Sequence, residues 1–215
     1  MDEIYKPKIK ICGLFREDDI AAVNEVKPDY CGFIIDYPKS HRNVSPARAY
    51  ELRQKLSPDI KAVGVFVNAP FTLVAEMLDY GAIDVAQLHG DEDEGYLDTL
   101  KSESPESEIW KVFRIDPRLT PAQAAPVFRE SERSLADVVV LDAGFGAGLT
   151  FDHGLIGNYK RPFMLAGGLN LNNISTVIAE VRPYGVDVSS GVETENVKDP
   201  EKIREFVRLA RGVFV

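Results

Sequence analysis

The feature that most constrains this chain is a repeated alternation: a short, largely apolar run, then a loop of polar residues and glycine, then a segment whose apolar residues recur at helical spacing. Lys8 to Leu14 alternates polar and apolar side chains, the mark of a strand, and Arg16 to Val26 carries Ile20 and Val23 on one helical side before stopping at Lys27-Pro28. Tyr30 to Ile35 is apolar almost throughout, as a parallel strand covered on both faces must be. Further strands are read at Ile60 to Val67, Asp84 to Leu88, Ile109 to Ile115, Asp137 to Leu141, Pro162 to Ala166 and Tyr184 to Val188. Helix starts are marked by Ser45-Pro46, Asn68-Ala69-Pro70, the acidic run Asp91-Glu92-Asp93-Glu94 and Thr120-Pro121, residue types that cap a helix or suit the positive end of its dipole. A helix capped near Asn170 follows Gly167-Gly168, with Leu171, Ile174, Val177, Ile178 and Val181 facing inward, and Pro200 to Arg211 is the last helix.

About eight such units in 215 residues predict an α/β fold, a (β/α)8 barrel forming a single domain over residues 1–215, with a doubly wound open sheet as the competing architecture. The 45% hydrophobic content is enough to fill its core. No apolar run is long enough to span a bilayer and Met1-Asp2-Glu3 is no signal-peptide start, so a cytoplasmic protein without a membrane partner is expected. A formal charge of −9 excludes an extended nucleic-acid surface, which needs clustered Lys and Arg. Cys12 and Cys31 lie on separate strands and give no disulfide framework, and His41, His89 and His153 are too scattered for a metal site. The oligomeric state is not encoded in any of these features.

Parallel sheets bind ligands at the carboxyl ends of their strands, which selects Cys12, Arg42, His89, Arg114, Asp142, Gly167-Gly168 and Ser189-Ser190-Gly191. Cys12 is either a base or nucleophile at the strand end or a small buried hydrophobe. Gly167-Gly168 and Ser189 to Gly191 follow neighbouring strands and together can turn backbone N–H groups onto one phosphate, although either loop alone would be an ordinary tight turn. Arg42 can clamp a carboxylate through two bonds or lie solvated in its loop. Asp142 can cap backbone amides or act as a general acid, and His89 can bond a substrate or orient the Gly90 turn.

Taken in order, these segments resemble one family. Lys10-Ile11-Cys12-Gly13-Leu14, Gly32-Phe33-Ile34 with Tyr37-Pro38-Lys39-Ser40-His41-Arg42, Val63-Gly64-Val65-Phe66-Val67-Asn68, Gln87-Leu88-His89-Gly90-Asp91-Glu92, Leu141-Asp142, Leu165-Ala166-Gly167-Gly168-Leu169 and Tyr184 to Glu193 are similar to phosphoribosylanthranilate isomerase of tryptophan biosynthesis, across nearly the whole chain. The resemblance implies an Amadori rearrangement of N-(5-phosphoribosyl)anthranilate to 1-(2-carboxyphenylamino)-1-deoxyribulose 5-phosphate, with no metal and no organic cofactor. It implies Asp142 as general acid, Cys12 as the thiolate base, Arg42 on the anthranilate carboxylate, and the loops at Gly167-Gly168 and Ser189 to Gly191 on the phosphate. Three departures stand out: His41 where the family usually has proline, Leu149 in an altered 144–150 glycine-rich loop where lysine is common, and His153 in place of a frequent tryptophan. Two other readings stay open. One is the histidine-pathway isomerase, which pairs two phosphate grips with an aspartate base on the first strand. The other is a non-catalytic phosphate-binding barrel serving as an assembly partner.

Overall fold

The computed structural model describes residues 5–116, 118–142 and 159–212, and in it the strands read from the sequence form one ring. β1 (Lys8–Cys12), β2 (Tyr30–Ile35), β3 (Lys61–Phe66), β4 (Val85–Leu88), β5 (Glu108–Arg114), β6 (Val138–Asp142), β7 (Phe163–Ala166) and β8 (Gly185–Val188) pair in parallel, each with its successor. β8 returns to β1, with Ile9 opposite Val186, while the other side of β1 pairs with β2, with Cys12 opposite Gly32. The ring therefore has no free edge, which decides for the barrel over the open sheet.

Helices among the described residues are α1 (Glu17–Val26), α2 (Pro46–Lys55), α3 (Phe71–Asp79), α4 (Glu94–Glu103), α5 (Pro121–Arg133), α6 (Ile174–Val181) and α7 (Pro200–Arg211). Their starts have local causes. The Ser45 hydroxyl accepts from Arg48 N at 3.2 Å with Pro46 in the first turn, and the Asp93 carboxylate accepts from Tyr96 N at 2.9 Å. Glu92 in the same acidic run does something else: it is buried, accepts from Asn68 N and Gly90 N at 2.7 and 2.9 Å, and so ties the loops after β3 and β4 together.

Alternation along the strands separates two cores. Ile9, Ile11, Phe33, Leu88, Val139, Leu141 and Val186 pack outward under the helices with Ile203 and Phe206 of α7, and each such buried side chain contributes about 1.5–3 kcal/mol. Tyr30, Val63, Val85, Trp110, Val112, Val140 and Met164 fill the barrel interior, with Trp110 edge-on to Tyr30 at 4.8 Å between ring centroids. On β1 the interior positions are Lys10 and Cys12, and on β8 Asp187, so charge enters the interior only with a partner: Lys10 and Asp187 meet at 2.7 Å.

One expected boundary moves. α6 begins at Ile174, later than a cap near Asn170 would start it, because Asn170 and Asn173 make their own turn: Asn173 Oδ1 accepts from Asn170 N at 2.9 Å, and both side-chain amides donate to the Gly168 carbonyl at 3.1 and 2.9 Å.

Candidate active site

The carboxyl ends of the strands open on a cavity of about 280 Å3 lined by Cys12, Arg42, His89, Asp142, Gly167, Gly168, Ser189 and Ser190. Of the residues selected from the sequence, Gly191 stands behind this lining, where a Cβ would overlap the Leu169 carbonyl oxygen, so its absence lets the two phosphate-loop candidates touch. Arg114 is exposed, donates to the His89 carbonyl at 3.0 Å and does not line the cavity. The 144–150 loop with Leu149, and His153, lie outside the described residues.

Cys12 ends β1 and is 8% exposed. Burial pushes its thiol above the ordinary cysteine range, and the charge of the Lys10 ammonium is the largest influence in the other direction. A buried thiol at rest is thus the starting point, and the thiolate depends on neighbouring cations. The next residue, Gly13, has φ +79°, and a Cβ on it would overlap Arg42 Cδ, so glycine both turns the chain and lets the Arg42 side chain lie across the strand end.

Arg42 is not solvated. Its Nε and Nη2 donate to the two carboxylate oxygens of Glu193, each at 2.6 Å, and Glu193 also accepts from the Lys198 ammonium at 2.5 Å. A short hairpin makes this possible: Glu193–Thr194 and Val197–Lys198 pair antiparallel across Glu195 and Asn196, whose φ values of 51° and 64° suit a tight primed turn, so Glu193 and Lys198 face each other. Burial alone would raise the Glu193 carboxyl, but hydrogen bonds and charge from Arg42 and Lys198 bring it down to about 2. Arg42, Glu193 and Lys198 form one group with two cations and one anion, and this leaves positive charge at the cavity wall.

His89 does not orient the Gly90 turn, which is held by Glu92 and Asn68. Its Nε2 lies 3.4 Å from Asp142 Oδ2 across the cavity. Asp142 is the last residue of β6, and its side chain follows Val138 and Val140 toward the interior, so the carboxyl faces the cavity. Gly167 and Gly168 have φ values of 91° and 67°, and Ser190–Val192 forms a single 3-10 turn. Among the described residues the N–H groups of Gly168, Ser190 and Gly191 have no protein acceptor, so they are available to an anion. Ser189 contributes less than its position suggested, since its hydroxyl donates to the Cys12 carbonyl at 3.0 Å and receives Lys198 at 3.3 Å.

Asp187 lines this cavity, and Lys10, Glu193 and Lys198 bond its lining residues Asp187, Arg42 and Ser189; none of the four was selected from the sequence. Lys10 and Asp187 had a local signal, a charge on the interior side of an apolar strand, where it must be paired. Glu193 and Lys198 had none beyond their turn.

A family model described as N-(5'phosphoribosyl)anthranilate (PRA) isomerase matches residues 9–209. The chain belongs to the PRA isomerase family. The PRA isomerase of Acetivibrio thermocellus is 41% identical over 213 residues, covering 94% of this chain and 95% of its own length. A second, from a Thermoanaerobacter species, is 39% identical over 208 residues, covering 96% and 98%. Among solved structures, the PRA isomerase of Pyrococcus furiosus superposes with a TM-score of 0.83 at 32% identity, covering 96% of this chain and all of the other at 100%. A PRA isomerase in complex with reduced 1-(o-carboxyphenylamino)-1-deoxyribulose 5-phosphate superposes with a TM-score of 0.80 at 31% identity, covering 96% and 99%. The PRA isomerase match begins in β1 and ends in α7, so every rim loop described above lies within it.

Proposed function

We infer that this chain is the isomerase that converts N-(5-phosphoribosyl)anthranilate to 1-(2-carboxyphenylamino)-1-deoxyribulose 5-phosphate in L-tryptophan biosynthesis, acting as one catalytic domain in the cytoplasm. The observation that carries the reading is the placing of a carboxyl and a thiol on one cavity from different sides: Asp142 from β6 and Cys12 from β1, three strands apart around the ring. The Asp142 carboxyl gives a proton to the furanose ring oxygen as the C1′–O bond breaks, and the anilino nitrogen's lone pair forms the protonated Schiff base. The Cys12 thiolate then takes the C2′ proton, and the C–H electrons flow to the nitrogen to give the enolamine, which tautomerises to the ketone. Each proton transfer by a placed group is worth about 10²–10⁴-fold in rate.

Substrate placement follows from charge. The phosphate is taken by the free N–H groups at Gly168 and Ser190 to Gly191, and the anthranilate carboxylate by the Arg42 end of the cavity, where the guanidinium keeps donor capacity beside Glu193. The histidine-pathway reading gains nothing from a first strand that ends in Cys12.

The test is fluorescence loss from freshly made phosphoribosylanthranilate with chelator-treated protein, Cys12→Ala and Asp142→Asn. Turnover should fall by about 10²-fold or more in each variant with melting temperature little changed. Near-normal turnover in either would reject its assigned role.

A further inference from the structure

β1 carries two chemically active side chains on one face. Lys10 and Cys12 are two residues apart, so both point into the barrel, with Cys12 at the mouth and Lys10 one layer below. Lys10 is 0% exposed and its ammonium donates to Asp187 Oδ2 of β8 at 2.7 Å. The isomerisation as written gives this pair no step.

Two details place it in the chemistry and not merely in the core. A buried ion pair recovers its desolvation cost only when its remaining polar atoms are satisfied, and Asp187 Oδ1 is buried with no partner, so as a stabilising device the pair is poor. Gly32 of β2 stands opposite Cys12 in register, and a Cβ on it would lie 2.8 Å from Cys12 Sγ and 3.2 Å from Lys10 Cε. The thiol and the end of the lysine side chain thus converge on the same space left by a missing Cβ.

We propose that Lys10 is a positioning residue for the isomerisation: its ammonium, anchored by Asp187, stabilises the anionic form of Cys12, and Asp187 limits how much of that charge the thiol feels. The proposal rests on the reading of Cys12 as the base. The charged groups that act on the thiol come from three segments. Lys10 on β1 and Lys198 on the hairpin favour the anion, and Asp187 on β8 opposes it. Cys31 on β2, in register with Ile11, packs in the outer core on the other side of the sheet, and burial holds it as the thiol. Burial pulls the Lys10 ammonium down, and Asp187 and Cys12 together more than offset that pull, so Lys10 stays a cation at neutral pH.

The pair of neighbours makes predictions of opposite sign. The rate of Cys12 alkylation by iodoacetamide would be followed against pH without substrate, with the labelled peptide located by mass spectrometry, in the wild type, Lys10→Met and Asp187→Asn. Lys10→Met should move the midpoint up by about 1–3 pH units, and the ascending limb of the kcat profile with it. Asp187→Asn should move the midpoint down. A lysine that only fills the core would lower the melting temperature and leave the midpoint unmoved, which overturns the proposal. Should Lys10→Met not fold, a midpoint in Asp187→Asn equal to or above the wild-type value overturns it alone. Failure of the underlying reading shows elsewhere, as turnover retained by Cys12→Ala, whatever the alkylation midpoints do.

Discussion

Replacing Glu193 by glutamine keeps the shape of the side chain and removes the only anion of the Arg42, Glu193 and Lys198 group. The Glu193 carboxylate takes two bonds from Arg42 at 2.6 Å and one from Lys198 at 2.5 Å, and its side chain is 4% exposed, while Lys198 is 0% exposed. Removing one partner of a buried pair costs about 3–5 kcal/mol, because the other charge stays behind uncompensated. Here the amide oxygen still accepts, and Lys198 keeps the Ser189 carbonyl at 3.0 Å, so the cost is set about 1 kcal/mol lower than that range, at about 2–4 kcal/mol. In a chain of this size each kcal/mol moves the melting temperature by about 2–4 °C, so Glu193→Gln should melt about 5–15 °C below the wild type at pH 7.

The pH dependence has a definite sign. The folded-state value of Glu193 is lowered from 4.5 to about 2, so its stabilisation is fully present above pH 4.5 and is lost as the pH falls toward 2. The gap in unfolding free energy between wild type and Glu193→Gln, measured by urea titration, should be flat between pH 6 and 8, the range above that window, and narrow below pH 4.5. A variant within about 2 °C of the wild type at pH 7, or a gap that does not narrow in acid, refutes the view that this carboxylate balances the two cations.

Further outcomes follow from the same geometry. Arg42→Ala should raise KM by about 10- to 100-fold, the loss of a charge-assisted contact worth about 1.5–3 kcal/mol, and unchanged KM and kcat in steady-state assays would exclude it from the substrate's carboxylate end. Gly191→Ala puts a Cβ onto the Leu169 carbonyl and must part the two loops proposed to hold phosphate, at a cost of about 1–3 kcal/mol. Its inorganic-phosphate affinity, read by calorimetry, should drop, and wild-type affinity would remove Gly191 from the phosphate grip. Asp142→Asn should abolish most turnover of the cyclic substrate while leaving product binding within about threefold, since the role proposed for Asp142 is on the ring oxygen and not on affinity.

The barrel was legible because each strand announces itself locally. Tyr30 to Ile35 is apolar on both faces, and Ser45-Pro46 or Thr120-Pro121 marks a helix start within a few residues. Cys12 and Asp142 were legible for the same reason: both sit where an apolar run gives way, and parallel topology collects all such points at one rim. What stayed hidden was the identity of partners. Whether Arg42 lies in solvent or is clamped depends on Glu193, which is 151 residues away in sequence and is aimed by a two-residue turn. The start of α6 was misplaced because an asparagine side chain can serve as a cap or as a turn former, and Asn170 and Asn173 do the latter by bonding the Gly168 carbonyl. Lys10 is the instructive case between these limits. Its place on the interior face of β1 follows from counting by twos from Cys12, and a lysine there requires a buried anion. That the anion is Asp187 follows once β8 closes onto β1, because the register sets Lys10 opposite Asp187. Closure of the ring therefore does chemical as well as structural work: it brings the counter-charge beneath the thiol, at the one seam where the first and last strands meet.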